Sequence, residues 1–325
     1  MTTLWDTTGT EVVKALAAER RTGGGVTSGL ALTLVVIAEE KDIPEVEQAV
    51  SIAGARHPMR VLVVIRGGID APAPRLDAEV TISGRYGPVE AVVLRMYGRL
   101  ALHAESVTLP LLAPDAPVVA WWYSQTPKLI AHDPLGVFAD RRITNVIRDP
   151  DPVAALRQRA ADFAPGDTDL TWTVITAWRA ALASAFDTVG IPATRVTVKG
   201  NPLDPSALLL AGWLSGALDL YVPVEPAPGK YISSVEVDWG DGRSVVLRNE
   251  SHRLVMSRPG QPDSIQPFPN RTNGDILAEE LRRLDADRVY ALALGAVTGE
   301  KDLNTKPAVR THIWMDPALA AAAEA

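Results

Sequence analysis

The sequence predicts a two-domain α/β protein. The N-terminal domain has a largely parallel sheet with flanking helices, and the C-terminal domain has a mixed or antiparallel meander with helices. Residues 30–38 and 59–65 are apolar, β-branched runs, typical of strands covered on both faces. A helical pattern at residues 43–55 separates them, and this order indicates a right-handed βαβ unit in a parallel sheet. In the second half, residues 233–239 and 244–248 flank a Gly-Asp-Gly turn, which is a strong hairpin signal.

Residues 167–187, near the middle of the 325-residue chain, have the pattern of a buried helix. Asp167 and Asp169 can cap its N-terminus and oppose the positive end of its dipole. From Thr171 onward, apolar residues surround most of the helix, which indicates burial on most sides. We therefore expect an N-terminal domain at 1–165, a linking helix at 166–190 and a C-terminal domain at 191–325. An ordinary core helix inside one domain is the alternative.

The remaining elements follow from apolar periodicity and from turn and cap residues. We expect further helices at residues 10–20, 106–113, 134–140, 151–163, 204–218, 275–283 and 286–293, and further strands at 78–83, 89–96, 118–122, 143–147, 195–199 and 253–257. Residues 258–274 are polar and proline-rich and are expected to form a loop.

Composition excludes several classes of function. The net charge of −7 disfavours nucleic acid as a partner, because phosphate binding needs a basic surface. There is no apolar run of about 18 residues, so we expect no membrane span, and the N-terminus lacks the pattern of a signal peptide. The chain has no cysteine, which removes disulfides, thiolate metal sites and a cysteine nucleophile. We expect a cytoplasmic protein.

The motifs that bear on catalysis or cofactors are weak. Gly23–Gly25 and Gly29 follow a helix and open a strand, whereas a nucleotide-binding glycine turn follows a strand and opens a helix. A hinge or a helix C-cap is the better interpretation. The five histidines have no metal-ligand spacing, and Asp238 and Asp241 fit a plain hairpin turn better than a calcium loop. We predict no metal, no cofactor and no catalytic residue.

Two residue pairs favour interactions over chemistry. Trp121 and Trp122 end a predicted strand, so their rings should point to opposite faces of the sheet. Arg141 and Arg142 begin the strand that follows the next predicted helix. Tryptophan and arginine are enriched at interface hot spots. Core packing is the alternative for either tryptophan, and an internal ion pair or domain contact competes with a partner or anion contact for the arginines.

Several long blocks, in this order along the chain, together resemble the actinobacterial OpcA family of glucose-6-phosphate dehydrogenase assembly proteins. The blocks are HAESVTLPLLAPDAPVVAWW, DPLGVFADRRIT, GDTDLTWTVITAWRAALA, PSALLLAGWL, RPGQPD and LAEELRRLDADRVYALAL. The resemblance runs from about residue 5 to 298. Where the family pattern has a basic residue and a proline in the central block, this chain has Val174 and Ala177.

The resemblance implies a non-catalytic accessory protein. It would bind glucose-6-phosphate dehydrogenase and promote its assembly or allosteric activation, at the entry to the oxidative pentose phosphate pathway. The residues expected to form or support this contact are Trp121, Trp122, Arg141, Arg142, Trp172, Trp178 and Arg179. If most of these tryptophans lie in the core, their substitution would unfold the protein.

The alternative is a sugar-phosphate-binding protein or an undetected enzyme. Ligands of open parallel sheets bind beyond the carboxyl ends of the strands. Arg66 and the Trp121-Trp122 pair would lie near such an edge, and Arg141 and Arg142 could clamp a phosphate. A concave, arginine-lined pocket at that edge would favour this alternative.

Overall fold

The computed structural model describes residues 1–22, 29–187 and 189–308. The glycine cluster Gly23–Gly25, His312 and the alanine-rich C-terminal tail lie outside the described residues. The strands are β1 Thr2–Leu4, β2 Leu32–Ile37, β3 Met59–Arg66, β4 Arg75–Ile82, β5 Glu90–Tyr97, β6 Val118–Trp122, β7 Arg141–Thr144, β8 Asp167–Asp169, β9 Arg195–Gly200, β10 Val224–Pro226, β11 Ser234–Asp238, β12 Ser244–Glu250, β13 Arg253–Ser257 and β14 Ser264–Pro267.

Ten α-helices are present in the described part of the chain. They are α1 Gly9–Thr22, α2 Ile43–Gly54, α3 Ala104–Thr108, α4 Pro134–Val137, α5 Pro152–Ala161, α6 Leu170–Val174, α7 Thr176–Asp187, α8 Pro205–Leu218, α9 Asn273–Glu280 and α10 Arg288–Thr298. Short 3₁₀ helices cover Glu40–Asp42, Gly98–His103, Leu109–Leu111, Ile130–His132, Val146–Arg148 and Leu303–Thr305. The predicted two-domain α/β class is confirmed, because two sheets form and each is flanked by helices.

The first sheet has eight strands in the order β1-β4-β5-β3-β2-β6-β7-β8. The pairings from β5 through β8 are all parallel, and β4 and β1 join the β5 edge through antiparallel pairings. The six parallel strands therefore follow the 3-2-1-4-5-6 order of the doubly wound dinucleotide-binding fold. Its switch point, where the order reverses, lies between β2 and β6.

Both faces of this sheet are covered, which explains its continuous apolar strands. Leu34 and Val36 of β2 belong to the core on one face, and Val35 and Ile37 belong to the core on the other. Trp121 and Trp122 divide in the same way, so the prediction that they face opposite sides is confirmed. Neighbouring residues of a strand point to opposite faces, and here both faces are buried in apolar cores.

Helix α9, from the second half of the chain, covers part of the first sheet beside α2. Gly274 permits this close approach, because a Cβ there would lie 2.7 Å from Cβ of Ile52. His57 Nε2 lies 2.7 Å from the carbonyl of Ala278, and Arg56 pairs with Asp275 at 3.0 Å. The C-terminal half thus contributes a helix to the N-terminal core.

The second sheet has six strands in the order β10-β9-β11-β12-β13-β14. Strands β11 to β13 form the predicted meander, and Gly240 and Gly242 of the hairpin turn have positive φ, as that turn requires. Helices α7, α8 and α10 pack on one face around a large apolar core. Strand β14 lies within residues 258–274, where a loop was expected. It is an exposed edge strand, a place where Pro267 is tolerated.

The central stretch is interrupted where one helix was predicted. Residues 167–169 form β8 of the first sheet, and a break at Ile175 separates α6 from α7. Asp169 caps α6 by accepting from the amide of Thr171, as expected, whereas Asp167 instead binds Arg142. At the break, the Thr173 carbonyl accepts from the hydroxyl of Thr176 and from Arg271, outside the regular helix ladder.

Candidate functional site

The seven predicted contact residues lie on β6, β7, α6 and α7. Trp121, Trp122, Arg141, Arg142, Trp172 and Trp178 are at most 3% exposed, and Arg179 is partly exposed. The structure brings Arg141, Trp172 and Arg179 together at the junction between the two sheets, whereas the other four lie in separate surroundings. That these residues form or support a partner contact stays a prediction, and within the chain each of them packs against neighbouring elements.

Arg141 anchors the junction through a buried ion pair. Its Nε donates to Oε1 of Glu280 on α9 at 3.0 Å, and its guanidinium also donates to the carbonyl of Asp285. The other carboxylate oxygen of Glu280 accepts from the hydroxyl of Thr173 on α6. One carboxylate therefore joins β7, α6 and α9, with every charge on the pair matched.

Trp172 and Arg179 form the second part of the junction. The Arg179 guanidinium lies 3.6 Å from the centre of the Trp172 ring, a close cation–π contact. The indole N–H of Trp172 donates to Asp287 at 2.8 Å, and its ring packs 5.9 Å from Tyr290 of α10. Burial lowers the pKa of Arg179, against the opposing charges of Asp287 and Glu280. Trp172 thereby connects α6 to both α7 and α10.

Arg142 is fully buried at the start of β7. Its guanidinium pairs with Asp167 of β8 and also donates to the carbonyls of Ala139 and Pro165 at 3.0 and 2.9 Å. Asp167 in turn accepts from the amide of Ala164 at 2.7 Å. Two interpretations were left open for these arginines, and the structure contains the internal ion pair in both cases. Both guanidinium groups are buried, so neither is accessible to an anion from solution.

Trp178 lines a cavity between the two sheets, with Phe268 packed against it edge to face at 6.2 Å between ring centres. The cavity has a volume of about 550 Å³. Asn145 and Thr171 mark the carboxyl ends of β7 and β8 on one side, and Asp204 caps α8 on the other. The remaining lining residues are Ile147, Leu170, Val174, Ile175, Ser206, Tyr231, Ile232, Asn249, His252, Pro269, Asn270, Arg271, Asn273 and Ile276.

At the switch point of the first sheet, carboxylates stand where a dinucleotide-binding fold holds the pyrophosphate. Asp42 lies at the N-terminus of α2 and accepts from the hydroxyl of Ser124, which also accepts from the amide of Glu39 at 2.9 Å. Arg148 supplies positive charge, but it already pairs with Asp42 and with Glu45 at 3.8 and 3.3 Å. No glycine occurs between β2 and α2, so these residues do not fit a dinucleotide.

A second cavity, of about 530 Å³, opens at the same edge and includes Arg66 and Arg95. Both guanidinium groups are bound by carboxylates: Arg66 donates twice to Asp133, at 2.9 and 2.8 Å, and Arg95 donates to Glu40 and Glu79. With Glu39 also in the lining, the cavity walls hold three carboxylates against two arginines. The arginine-lined anion pocket required by the sugar-phosphate alternative is therefore not favoured.

Sequence reasoning missed the polar residues of the 550 Å³ cavity. Asp204 was expected only to begin a helix, Asn145 carries no motif, and Asn249 and Asn270 match only the N-x-S/T sequon, which does not indicate a ligand site. They come from separate segments, and only the packing of α8 and the second sheet against β7 and β8 brings them together. No local signal could have found them.

The described residues hold neither a metal-ligand cluster nor a membrane-spanning helix. Residues 1–22, 29–187 and 189–308 contain no group of three or more His, Asp or Glu side chains placed to hold a metal ion. Over the same ranges, none of the helices has the length and apolar character needed to cross a membrane.

Two family models match consecutive parts of the chain. The model for the N-terminal domain of the glucose-6-phosphate dehydrogenase subunit matches residues 50–161. The model for the C-terminal domain of the same subunit matches residues 165–294. None of the curated proteins compared with the chain matches it.

Two solved structures of levoglucosan dehydrogenase are distantly similar. The complex with NADH and levoglucosan is 11% identical, covers 82% of this chain and 90% of its own, and has a TM-score of 0.41. The complex with NADH and L-sorbose is 13% identical, the match covers 82% of this chain and 89% of the dehydrogenase chain, and the TM-score is 0.38. At these TM-scores the likeness implies nothing about the activity of this chain.

Proposed function

The chain belongs to the OpcA family of glucose-6-phosphate dehydrogenase assembly proteins, and we propose from this that it is a non-catalytic accessory protein of that enzyme. It binds glucose-6-phosphate dehydrogenase in the cytoplasm and promotes its assembly or allosteric activation. The observation that carries the proposal is the match of both family domains, in order, over residues 50–161 and 165–294.

The chemistry of the first sheet supports a role without catalysis. In doubly wound enzymes the switch point holds the reactive cofactor. Here Asp42 and Glu45 both pair with Arg148 at that place, and the neighbouring Arg66 and Arg95 are also bound by carboxylates. These groups are used within the chain, which suits a protein that acts by contact.

Activation by contact requires a difference in affinity. The protein must bind the active quaternary state of the dehydrogenase more tightly than the inactive one, and a coupling of about 1–3 kcal/mol is usual. A rigid surface makes such a difference easier to maintain, because less freedom is lost on binding. The buried pairs around Arg141 and Trp172 keep the two sheets in one arrangement and so support a preformed surface.

The contact itself needs exposed groups near this junction. Val174, on α6 between Trp172 and the break at Ile175, is 36% exposed and stands where the family pattern has a basic residue. We propose that this part of α6 contributes to the contact. Trp172, Trp178 and Arg141 would support it from beneath, Arg141 through Glu280 and Thr173.

A rate titration tests the proposal. Glucose-6-phosphate dehydrogenase from the same organism is mixed with increasing amounts of this protein, NADP reduction is followed, and the mixture is passed over a size-exclusion column. We expect a saturable rise in rate and co-elution. If neither the rate nor the elution changes, the proposal is wrong.

Two variants place the contact. Val174→Glu should weaken both effects, whereas Leu109→Glu is a matched control, because Leu109 is a similarly exposed apolar residue at 46% and does not line the cavity beside α6. If both variants activate the enzyme equally, α6 is not part of the contact, although the proposed activation would still stand.

A further inference from the structure

The cavity between the two sheets, which is lined by Trp178, Asp204 and Thr171 among others, has the dimensions of a small-molecule site. Its volume of about 550 Å³ lies within the range of about 300–1,000 Å³ found for ligand pockets. It also lies where such pockets concentrate, at an interface between domains and beyond the carboxyl ends of parallel strands. Asn145 and Thr171 come just after the ends of β7 and β8, so this side of the cavity lies beyond the carboxyl ends of parallel strands.

Two of its lining residues carry buried polar atoms without a partner in the described chain. Asp204 is 4% exposed; its Oδ1 accepts from the amide of Ser206 at 3.0 Å, and its Oδ2 has no hydrogen-bond partner within 3.5 Å in the described chain. The hydroxyl of Thr171, which is 2% exposed, is likewise unpartnered within the described ranges. Buried polar groups are nearly always hydrogen-bonded, and a buried polar group without a hydrogen bond lowers the stability of the fold. Both atoms therefore require explanation.

The rest of the lining combines aromatic surface with side-chain amides. Trp178, Phe268 and Tyr231 provide aromatic rings, and Asn145, Asn249, Asn270 and Asn273 provide amide donors and acceptors. Aromatic rings can pack on the apolar face of a small ring, while amides and a carboxylate fix its polar substituents. Such a lining suits a ligand with many hydroxyl groups.

The charges of the lining disfavour an anion. Arg271 is its one arginine, and this guanidinium donates to Glu279 at 2.6 Å and to the carbonyl of Thr173 at 3.3 Å. The charge of Lys230 acts on the Asp204 carboxylate, but the two groups form no salt bridge in the described chain, so Asp204 would still repel a phosphate or carboxylate ligand. A hydroxyl group, in contrast, can donate to Oδ2 directly.

We propose that this cavity binds an uncharged, polyhydroxylated ring, such as a sugar or a cyclitol. A ligand hydroxyl donates to Oδ2 of Asp204, a second hydroxyl bonds Thr171, and the ring packs against Trp178. Val174 and Trp178 line this cavity and also belong to the proposed contact with glucose-6-phosphate dehydrogenase, but the proposal rests on the lining of the cavity and does not depend on that contact.

Ligand-observed saturation-transfer NMR on the full chain tests the site. The probes are D-glucose and myo-inositol, with glucose 6-phosphate and glucosamine as charged comparators. We expect saturable transfer to at least one of the two uncharged probes. Transfer to neither, or transfer only to a charged comparator, would overturn the proposal.

Matched variants locate the binding. Asp204→Asn keeps the helix cap, because asparagine caps as well as aspartate, but it removes the carboxylate. Its control is Asp151→Asn, which alters the corresponding cap of α5 away from the cavity. We expect Asp204→Asn to weaken binding about tenfold or more, since a hydrogen bond to a charged group contributes that much. The control should bind as the wild type does.

A second variant guards against misfolding. Asn249→Ala changes an exposed side chain of the lining and should leave the fold intact while weakening binding. If the probe binds Asp204→Asn and Asn249→Ala as tightly as the wild type, it binds elsewhere and the proposed site is wrong.

Discussion

At the scale of single residues, the charged groups at the centre of the molecule hold its two halves together. Arg141 and Glu280 are separated by 139 positions in sequence, yet their side chains meet in the interior. Arg142 and Asp167 do the same between adjacent strands. Each group alone would be a buried charge, and only the presence of its partner makes burial tolerable.

Removal of one partner should therefore be far more damaging than loss of a surface pair. We expect Arg141→Met to lower the free energy of unfolding by about 3–5 kcal/mol, because Glu280 is left buried and uncompensated. Arg248→Met, which breaks an exposed pair with Glu250, should cost less than about 1 kcal/mol. Urea unfolding followed by tryptophan fluorescence measures both, and equal losses would contradict the role given to Arg141.

The pH dependence of stability should have opposite signs at two helix caps. Burial raises the pKa of Asp204, whereas hydrogen bonds from Thr272 lower the pKa of Asp275. The contribution of Asp204 is present below its unfolded pKa, near 3.8, and is lost as the pH rises through its folded value. The contribution of Asp275 is present above its unfolded pKa and is lost as the pH falls.

Asparagine variants separate the pH-dependent contributions of Asp204 and Asp275 to stability. Relative to wild type, Asp204→Asn should become more stable as the pH rises from about 3 to about 7, and Asp275→Asn should become less stable over the same range. Unfolding free energies at a series of pH values give these differences. Parallel pH profiles for the two variants would show that the environments of the two carboxyls do not differ as described.

Sequence patterns predict side-chain direction at this scale better than they predict partners. The opposite orientations of Trp121 and Trp122 follow from the two-residue period of a strand. That Arg141 meets Glu280 depends on the return of α9 to the first sheet, which no local pattern contains. The role of Asp204 in the cavity could not be predicted for the same reason, because its neighbours there come from both sheets.

At the scale of elements, long apolar segments were predictable and short ones were not. The buried runs of β2, β3 and β6 and the meander β11–β13 lie at or close to their expected positions. Strands β1, β8 and β10 have three residues each, and β8 reads Asp-Thr-Asp. Such a segment becomes a strand because β7 supplies the hydrogen-bonding partner, not because of its own propensity.

Two glycines of α8 should respond oppositely to alanine. A Cβ at Gly212 would lie 2.5 Å from the carbonyl oxygen of Ala293 on α10, whereas a Cβ at Gly216 would meet nothing within 4 Å. Gly216→Ala should stabilise the protein by about 0.5–1 kcal/mol through helix propensity. Gly212→Ala should destabilise it, because α8 and α10 must separate. Thermal unfolding compares them, and a gain in both variants would show that the two helices are not closely packed.

The N-terminus of α2 leads to a prediction about nucleotides. The strand order is that of a dinucleotide-binding sheet, but Asp42 and Glu45 place negative charge where a pyrophosphate would lie. We expect NADPH fluorescence to show no saturable change with this protein, under conditions where glucose-6-phosphate dehydrogenase binds it. Saturable binding that NADP competes away would contradict this interpretation of the switch point.

At the scale of the whole molecule, the two halves of the chain exchange elements. Helix α9 contributes Ile276, Leu277 and Ala278 to the core of the first sheet. In return, α5, between β7 and β8, places Leu156 and Ala160 in the core of the second. The expected division at 1–165, 166–190 and 191–325 remains a proposal, and neither core is complete within one of these ranges.

This exchange predicts that the protein unfolds as one unit. Unfolding in urea should give coincident transitions by circular dichroism and by tryptophan fluorescence, because loss of α9 or α5 exposes apolar surface in both cores. Lys306 adds to the coupling, since its ammonium donates to the carbonyls of Ala160 and Ala161 at the end of α5. A fragment of residues 1–165 lacks α9 and should not fold alone, as judged by its amide NMR dispersion. Two separate transitions, or a folded fragment, would mean that the exchanged helices add little to either core.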